Sequence, residues 1–217
     1  IAKTNSVNLD KAADDYAASF KILEPLADII TINLSCPNVA NFCGLQEHKL
    51  LEPILAKINQ LNNKQKPIWL KIGNDLNKQE LDDIIQLVKK YKVDAVIATN
   101  LAKNRDHLNL QSNHEDKPGG ISGKKISKRA NQIISYLYKH SENKYKVIGV
   151  GGVFSGKDAY VKIKAGSNLV QIGTGFIYGG PLIVKKINKE LDNLLRQDNF
   201  SHLKQAIGIE ADKYKLE

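Results

Sequence analysis

The chain has 217 residues, 42% of them hydrophobic and 25% charged, which excludes a disordered, collagenous or disulfide-stapled protein and fits an ordinary globular one. Lys and Arg number 32 against 23 Asp and Glu, a formal charge of +9; the lysines are scattered and aromatics make up only 6%, which argues for a solvated basic surface and against a nucleic-acid-binding face. No apolar run reaches the roughly 18 residues needed to span a bilayer, and no secretory signal is recognisable. Two cysteines, Cys36 and Cys43, make neither a disulfide framework nor, without further Cys or paired His at ligand spacing, a metal site. The chain holds no Met and opens at Ile1 in polar, helix-forming sequence, so it reads as the C-terminal part of something longer.

Asp10 to Ala27 has helical spacing, with Ala13, Tyr16, Ala17, Phe20, Ile22 and Leu23 as its apolar side and Pro25 disrupting its end. The β-branched run Ile29 to Leu34 reads as a buried strand of a parallel sheet. A helix from about Gln46 to Leu61 and a strand from Pro67 to Ile72 follow. Asn77 caps a helix that reaches about Tyr91, with Leu81, Ile84, Ile85 and Val88 inward. Strand Ala95 to Thr99 leads into a polar loop, Leu101 to Ser122, of a length that is uncommon unless functional. Helix Ile126 to His140, strand Val147 to Val150, helix Ser155 to Ala165, strand Leu169 to Ile172, helix Leu182 to Leu195 and a short helix through Leu203 to Ile207 complete the chain.

Regular β-α alternation implies a parallel sheet with right-handed crossovers. Five such units suit an open doubly wound sheet or the last five units of a TIM (β/α)8 barrel. The opening of the chain favours the barrel, and no unit begins with the Gly-x-Gly-x-x-Gly of a dinucleotide-binding half. In either architecture chemistry sits where strands end.

Each strand here does end in polar or Gly-rich sequence. The first closes on Asn33-Leu34-Ser35-Cys36-Pro37-Asn38, where two carboxamides flank a thiol. Taken alone, Cys36-Pro37 reads as a turn with a small buried thiol. The second strand carries Lys71 within an apolar run; an edge position would let it snorkel, whereas two-sided burial would demand an anion. The third ends in Thr99-Asn100. The last two end in Gly149-Val150-Gly151-Gly152 and Gly173-Thr174-Gly175, each before a helix, as in a phosphate site where backbone N–H groups approach an anion. A phosphate site at one end, a cation at the other and a proton acceptor opposite suit a flavin mononucleotide (FMN) enzyme.

With these residues in place, the chain resembles the C-terminal two thirds of dihydroorotate dehydrogenase. The matching segments are Ile32 to Asn38, Gly44-Leu45-Gln46, Leu70-Lys71-Ile72, Thr99-Asn100, Gly119 to Lys124, Ile148 to Gly152 and Ala206-Ile207-Gly208, in order. The resemblance implies that residues 1–217 are one partial FMN-binding barrel domain lacking its N-terminal strands. It implies Cys36 as catalytic base and Asn33, Asn38, Asn100 and the following Leu101 at the substrate, dihydroorotate or orotate. It further implies Asn33, Lys71, Thr99, Ser122, Gly123, Gly151, Gly152, Gly173 and Thr174 at the cofactor, FMN. Gly44-Leu45-Gln46 and Ala206-Ile207-Gly208 resemble the quinone-using class, which implies quinone as acceptor, no nucleic-acid partner, and peripheral contact with the cytoplasmic face of the inner membrane through the N-terminal part, or a cytoplasmic location if the acceptor is not quinone.

Three departures from that class stand out, at four positions: Cys36 stands where Ser is usual, Leu101 and Ala102 replace hydroxyl residues, and Gly173 replaces a Tyr. Other readings are a different FMN barrel, such as a tRNA dihydrouridine synthase, or a non-catalytic remnant acting as an interaction module.

Overall fold

The computed structural model describes residues 1–34, 48–106, 108–110 and 119–216. Five parallel strands, β1 (Ile30–Asn33), β2 (Ile68–Lys71), β3 (Ala95–Ala98), β4 (Lys146–Gly149) and β5 (Leu169–Val170), lie side by side in sequence order. Helices connect them: α2 (His48–Leu61), α3 (Lys78–Lys90), α4 (Ser127–Lys139) and α5 (Gly156–Ala165), with α1 (Ala12–Leu23) before β1. Two more, α6 (Thr174–Gly179) and α7 (Ile183–Gln197), follow β5. A doubly wound sheet reverses its strand order at a switch point. This order never reverses, so right-handed crossovers place every helix on one side, the arrangement of a β/α barrel.

Strand periodicity divides the sheet into two faces. Ile30, Ile32, Ile68 and Leu70 are buried and join the large cluster beneath the helices, while Thr31, Asn33, Trp69 and Lys71 alternate with them and stay half-exposed. Both strands therefore point their polar ends at the side away from the helices. On that inner side Ala95, Ile97 and Ile148 form a small separate cluster with Trp69 and Val150. Beyond β1, the N-terminal amine of Ile1 donates to Thr31 O at 2.7 Å and Asn33 N donates to Ile1 O at 2.9 Å, so Ile1 occupies the sheet edge.

Local chemistry accounts for the helix starts. Asn77 Oδ1 accepts from Glu80 N at 3.0 Å and Glu80 Oε2 accepts from Asn77 N at 2.7 Å, a reciprocal capping box at α3. Ser155 caps α5 by accepting from Asp158 N. The expected first helix is shorter than its apolar spacing predicts. Ile22 and Leu23 are exposed, and Pro25 converts the end into a 3-10 turn, Glu24–Leu26, because it removes an amide donor. Strand β5 is half its expected length, ending at Val170. Helix α6 was not anticipated: Gly173 to Gly180 contains four glycines, which disfavour a helix locally. Within the long excursion after β3, Ala102 and Ile121 pair as an antiparallel bridge that pinches its neck.

Candidate functional site

The site is built where the strands end. The parallel register places Asn33 of β1 directly beside Lys71 of β2, and Lys71 beside Ile97 of β3. Tyr16 of α1 donates its hydroxyl to Asn33 O at 2.6 Å, which fixes the end of β1 from the helix side. Lys71 is half-buried, and that burial lowers the pKa of its ammonium; among the described residues no carboxylate contributes to the shift. A lysine held this way gains stability from any anion placed against it.

A cavity of about 180 Å³ opens next to Lys71. One wall is Thr99, Asn100 and Leu101 after β3; another is Ser122 and Gly123 at the end of the long excursion. Gly151 and Gly152 after β4 and Gly173 to Gly175 after β5 close the far end. Among the residues the sequence singled out, ten therefore meet on this one cavity: Lys71, Thr99, Asn100, Leu101, Ser122, Gly123, Gly151, Gly152, Gly173 and Thr174. Asn33 stands at the adjoining strand end and not on the cavity wall. Cys36 and Asn38, together with Gly44-Leu45-Gln46, lie outside the described residues.

The glycine end is shaped by close approach. Gly152 has φ +77°, and a Cβ there would stand 2.6 Å from Ser127 Cβ; a Cβ at Gly175 would stand 2.1 Å from Val153 O. The Gly175 approach lets the β5–α6 turn lie on the β4–α5 turn, the Gly152 approach lets the β4–α5 turn lie on the start of α4, and the Ser122 hydroxyl at the end of the excursion is hydrogen-bonded to Thr174 Oγ1 at 2.8 Å. Gly173 differs, since a Cβ on it would meet nothing within 4 Å. The cavity thus has a cation at one end, and glycine backbone with two hydroxyls at the other. That donor set is chemically suited to a phosphate-bearing ligand such as a flavin nucleotide.

Sequence reading missed Asn74. Its buried side chain donates to Thr99 Oγ1 at 2.7 Å, and Thr99 in turn donates to Asn100 O at 3.1 Å, so one carboxamide orients two residues of the cavity wall. The available signal was Gly73-Asn74, which breaks an apolar strand in the same way as Thr99-Asn100. Gln171 and Ile172, also on the cavity, lie past the end of β5; the β-strand pattern alone had absorbed them.

The sequence model of the family described as dihydroorotate dehydrogenase matches residues 1–195. The chain is 37% identical over 221 aligned positions to a protein of Nostoc punctiforme named dihydroorotate dehydrogenase (quinone), covering 99% of this chain and 59% of that protein. It is 38% identical to a protein of the same name from Roseiflexus castenholzii, covering 98% of this chain and 58% of that one. Among solved structures, the ligand-free dihydroorotate dehydrogenase of Eimeria tenella superposes with a TM-score of 0.87 at 28% identity, covering 97% of this chain and 62% of that chain. The chain thus spans less than two thirds of the length of these relatives.

Proposed function

The chain belongs to the dihydroorotate dehydrogenase family, and from that premise we propose that it serves the FMN-dependent oxidation of dihydroorotate to orotate in pyrimidine biosynthesis, with quinone as electron acceptor. The observation that carries this reading is the convergence of a half-buried Lys71, paired in register with Asn33, and the paired glycine turns on one cavity edge. Residues 1–217 act in this reading as one FMN-binding barrel domain.

When bound, FMN supplies the hydride acceptor for the carbon–carbon bond that is oxidised. The chain supplies position and charge. Backbone N–H groups of the turns at Gly151, Gly152, Gly173 and Thr174, with the Ser122 and Thr174 hydroxyls, hold the phosphate. Thr99 and Gly123 border the cofactor. Lys71 holds the polar edge of the ring and stabilises negative charge there; its lowered pKa rises again as it gains an anionic partner. Asn33, Asn38 and Asn100 bind the substrate ring, because a carboxamide both donates to a carbonyl and accepts from a ring N–H. Leu101 offers an apolar wall where a hydroxyl is usual. The inner cluster of Ala95, Ile97 and Ile148 keeps the floor beneath the site dry. Cys36 removes the substrate proton: its thiol has an unperturbed pKa of about 8.5 and is a far better base near neutrality than a serine hydroxyl.

Quinone as acceptor places the protein peripherally at the cytoplasmic face of the inner membrane, where the charge of +9 favours contact with anionic lipid. Among the described residues no helix is long and apolar enough to cross a membrane.

The test is the visible spectrum of the purified chain with added FMN, followed by anaerobic addition of dihydroorotate. A protein-bound flavin band that bleaches with dihydroorotate is the expected result. A bound band that dihydroorotate leaves unchanged overturns the substrate, and absence of binding overturns the assignment of the cofactor to these residues. In an active sample, Cys36→Ser lowers the rate at neutral pH and moves its optimum upward; an unchanged pH profile removes Cys36 from the role of base.

A further inference from the structure

Among the described residues eleven large apolar side chains are exposed, and five of them fall between Phe176 and Val184, across α6 and the start of α7. Ile177 is 78% exposed, Tyr178 81% and Leu182 75%, so the turn between the two helices presents apolar side chains to water. Contiguous apolar surface with a polar rim marks a site of association. Tyr178 and Leu182 share a groove of about 260 Å³ with Phe154, Gly179, Ile183 and Lys186. Gly179 lets the two helices close on each other there, since a Cβ on it would stand 2.4 Å from Ile183 Cδ1.

The rim of this patch is basic. From Ala159 to Lys189 the chain contains no Asp or Glu. Leu182, Lys185, Lys186 and Lys189 follow i, i+3, i+4, i+7 spacing, so three exposed lysines continue along α7 the side on which Leu182 begins. Ile183 and Ile187, between them in sequence, are buried. Lys124 lies 5.5 Å over the ring of Phe154 and adds a cation at that end of the groove. The first carboxylate of α7, Glu190, stands 3.8 Å from Lys186 but accepts from Gly156 N of α5 at 2.6 Å; the next, Asp192, pairs with Arg196. From Phe176 to Lys189 there is Lys and no Arg, whereas protein–protein interfaces favour Arg and are depleted of Lys. Aliphatic tips, an exposed tyrosine and long-stemmed lysines instead suit the boundary between acyl chains and anionic headgroups.

We propose that the α6–α7 face seats this chain on a bilayer containing anionic lipid, with Ile177, Tyr178 and Leu182 entering the headgroup region and Lys185, Lys186 and Lys189 against the headgroups. The proposal rests on the reading of a peripheral, quinone-using enzyme for its place in the cell, but lipid binding is measured without flavin or substrate. The test is co-sedimentation of the whole chain with vesicles of phosphatidylcholine alone and of equimolar phosphatidylcholine and phosphatidylglycerol. Binding to the anionic vesicles, weak on the neutral ones and released by salt, is expected. Lys185→Gln/Lys189→Gln and Ile177→Ser/Leu182→Ser, each with unchanged circular dichroism, weaken it by about tenfold or more. Lys21→Gln/Lys78→Gln, which removes the same charge from α1 and α3, leaves it unchanged. Absence of binding overturns the proposal, as does equal binding to neutral vesicles or equal loss in the Lys21/Lys78 variant, which would mean that net charge alone is at work. Self-association abolished by Ile177→Ser/Leu182→Ser, without vesicle binding, assigns the patch to a second copy and overturns it too. A chain that binds vesicles but no FMN leaves this face standing and removes the flavin assignment instead.

Discussion

On the outer face of the sheet Ile32, Leu70, Val96 and Ala98 are completely buried under the helices, whereas on the inner face Asn33, Trp69 and Lys71 remain half-exposed, Lys71 on the cavity wall. The same strands supply both faces, residue by residue in alternation. On the outer side the requirement is volume and apolarity, which many residues meet with modest loss. The inner side requires a particular charge or donor at one place, where a substitution of equal size has no equal chemistry. Stability and function are therefore separable along a single strand, and neighbouring residues of β2 give the sharpest contrast.

The largest expected effect is on the inner side. If the proposed function holds, Lys71→Ala should lower the rate of dihydroorotate oxidation by about 10²- to 10³-fold, the loss typical of a charge that stabilises developing negative charge. Thermal unfolding should barely change. A clear fall in melting temperature with activity retained would erase the division between faces. Its outer neighbour behaves in reverse: Leu70→Ala should cost about 2–5 kcal/mol in denaturant titration through the cavity it leaves, with little change in rate per folded molecule.

A buried charge on the outer side sharpens the contrast further. Lys162 is almost fully enclosed among α4, α5 and β4, donating to Asn131 Oδ1 at 2.9 Å, and its desolvation pushes its pKa down to about 7 against a weaker opposing pull from Asp158. The unfolded chain holds that proton up to about pH 10.4. Between the two values the unfolded state binds more protons than the folded one, so stability rises with pH through this window and the penalty is complete below pH 7. Lys162→Met should remove that slope and stabilise the protein at pH 6 by on the order of a few kcal/mol, while changing little at pH 10. Chemical denaturation at the two pH values checks it; a parallel shift at both would mean that the charge is not what Lys162 costs.

Smaller effects belong to residues that join the faces. Asn74→Ala should weaken flavin binding several-fold, on the order of one lost hydrogen bond, by releasing Thr99 and Asn100. Smallest of all, Gly173→Ala should leave stability within about 0.5 kcal/mol, because its new methyl meets open space. Gly175→Ala, whose methyl would run into Val153 O, should be markedly destabilising in the same assay.

The alternation of strands and helices, the Asn77 cap and the glycine ends of β4 and β5 were readable from the chain because each depends on neighbours within a few residues. So were Lys71 inside β2 and the residues that directly follow β3, β4 and β5, whereas Leu101, Ser122 and Gly123, the last two at the end of the long excursion, were named only through the family resemblance. Tertiary structure alone decided three other things. It gave the strand order that bears out the expected barrel, because order depends on which strands pair and not on any one strand. It left Ile22 and Leu23 exposed and formed α6 although its glycines cost about 1 kcal/mol each in a helix, so the apolar spacing and local propensity alone foretold neither. And it joined Asn74 to Thr99 and Lys162 to Asn131, partners 25 and 31 residues apart, whose meeting is set by register and helix packing rather than by any spacing along the chain.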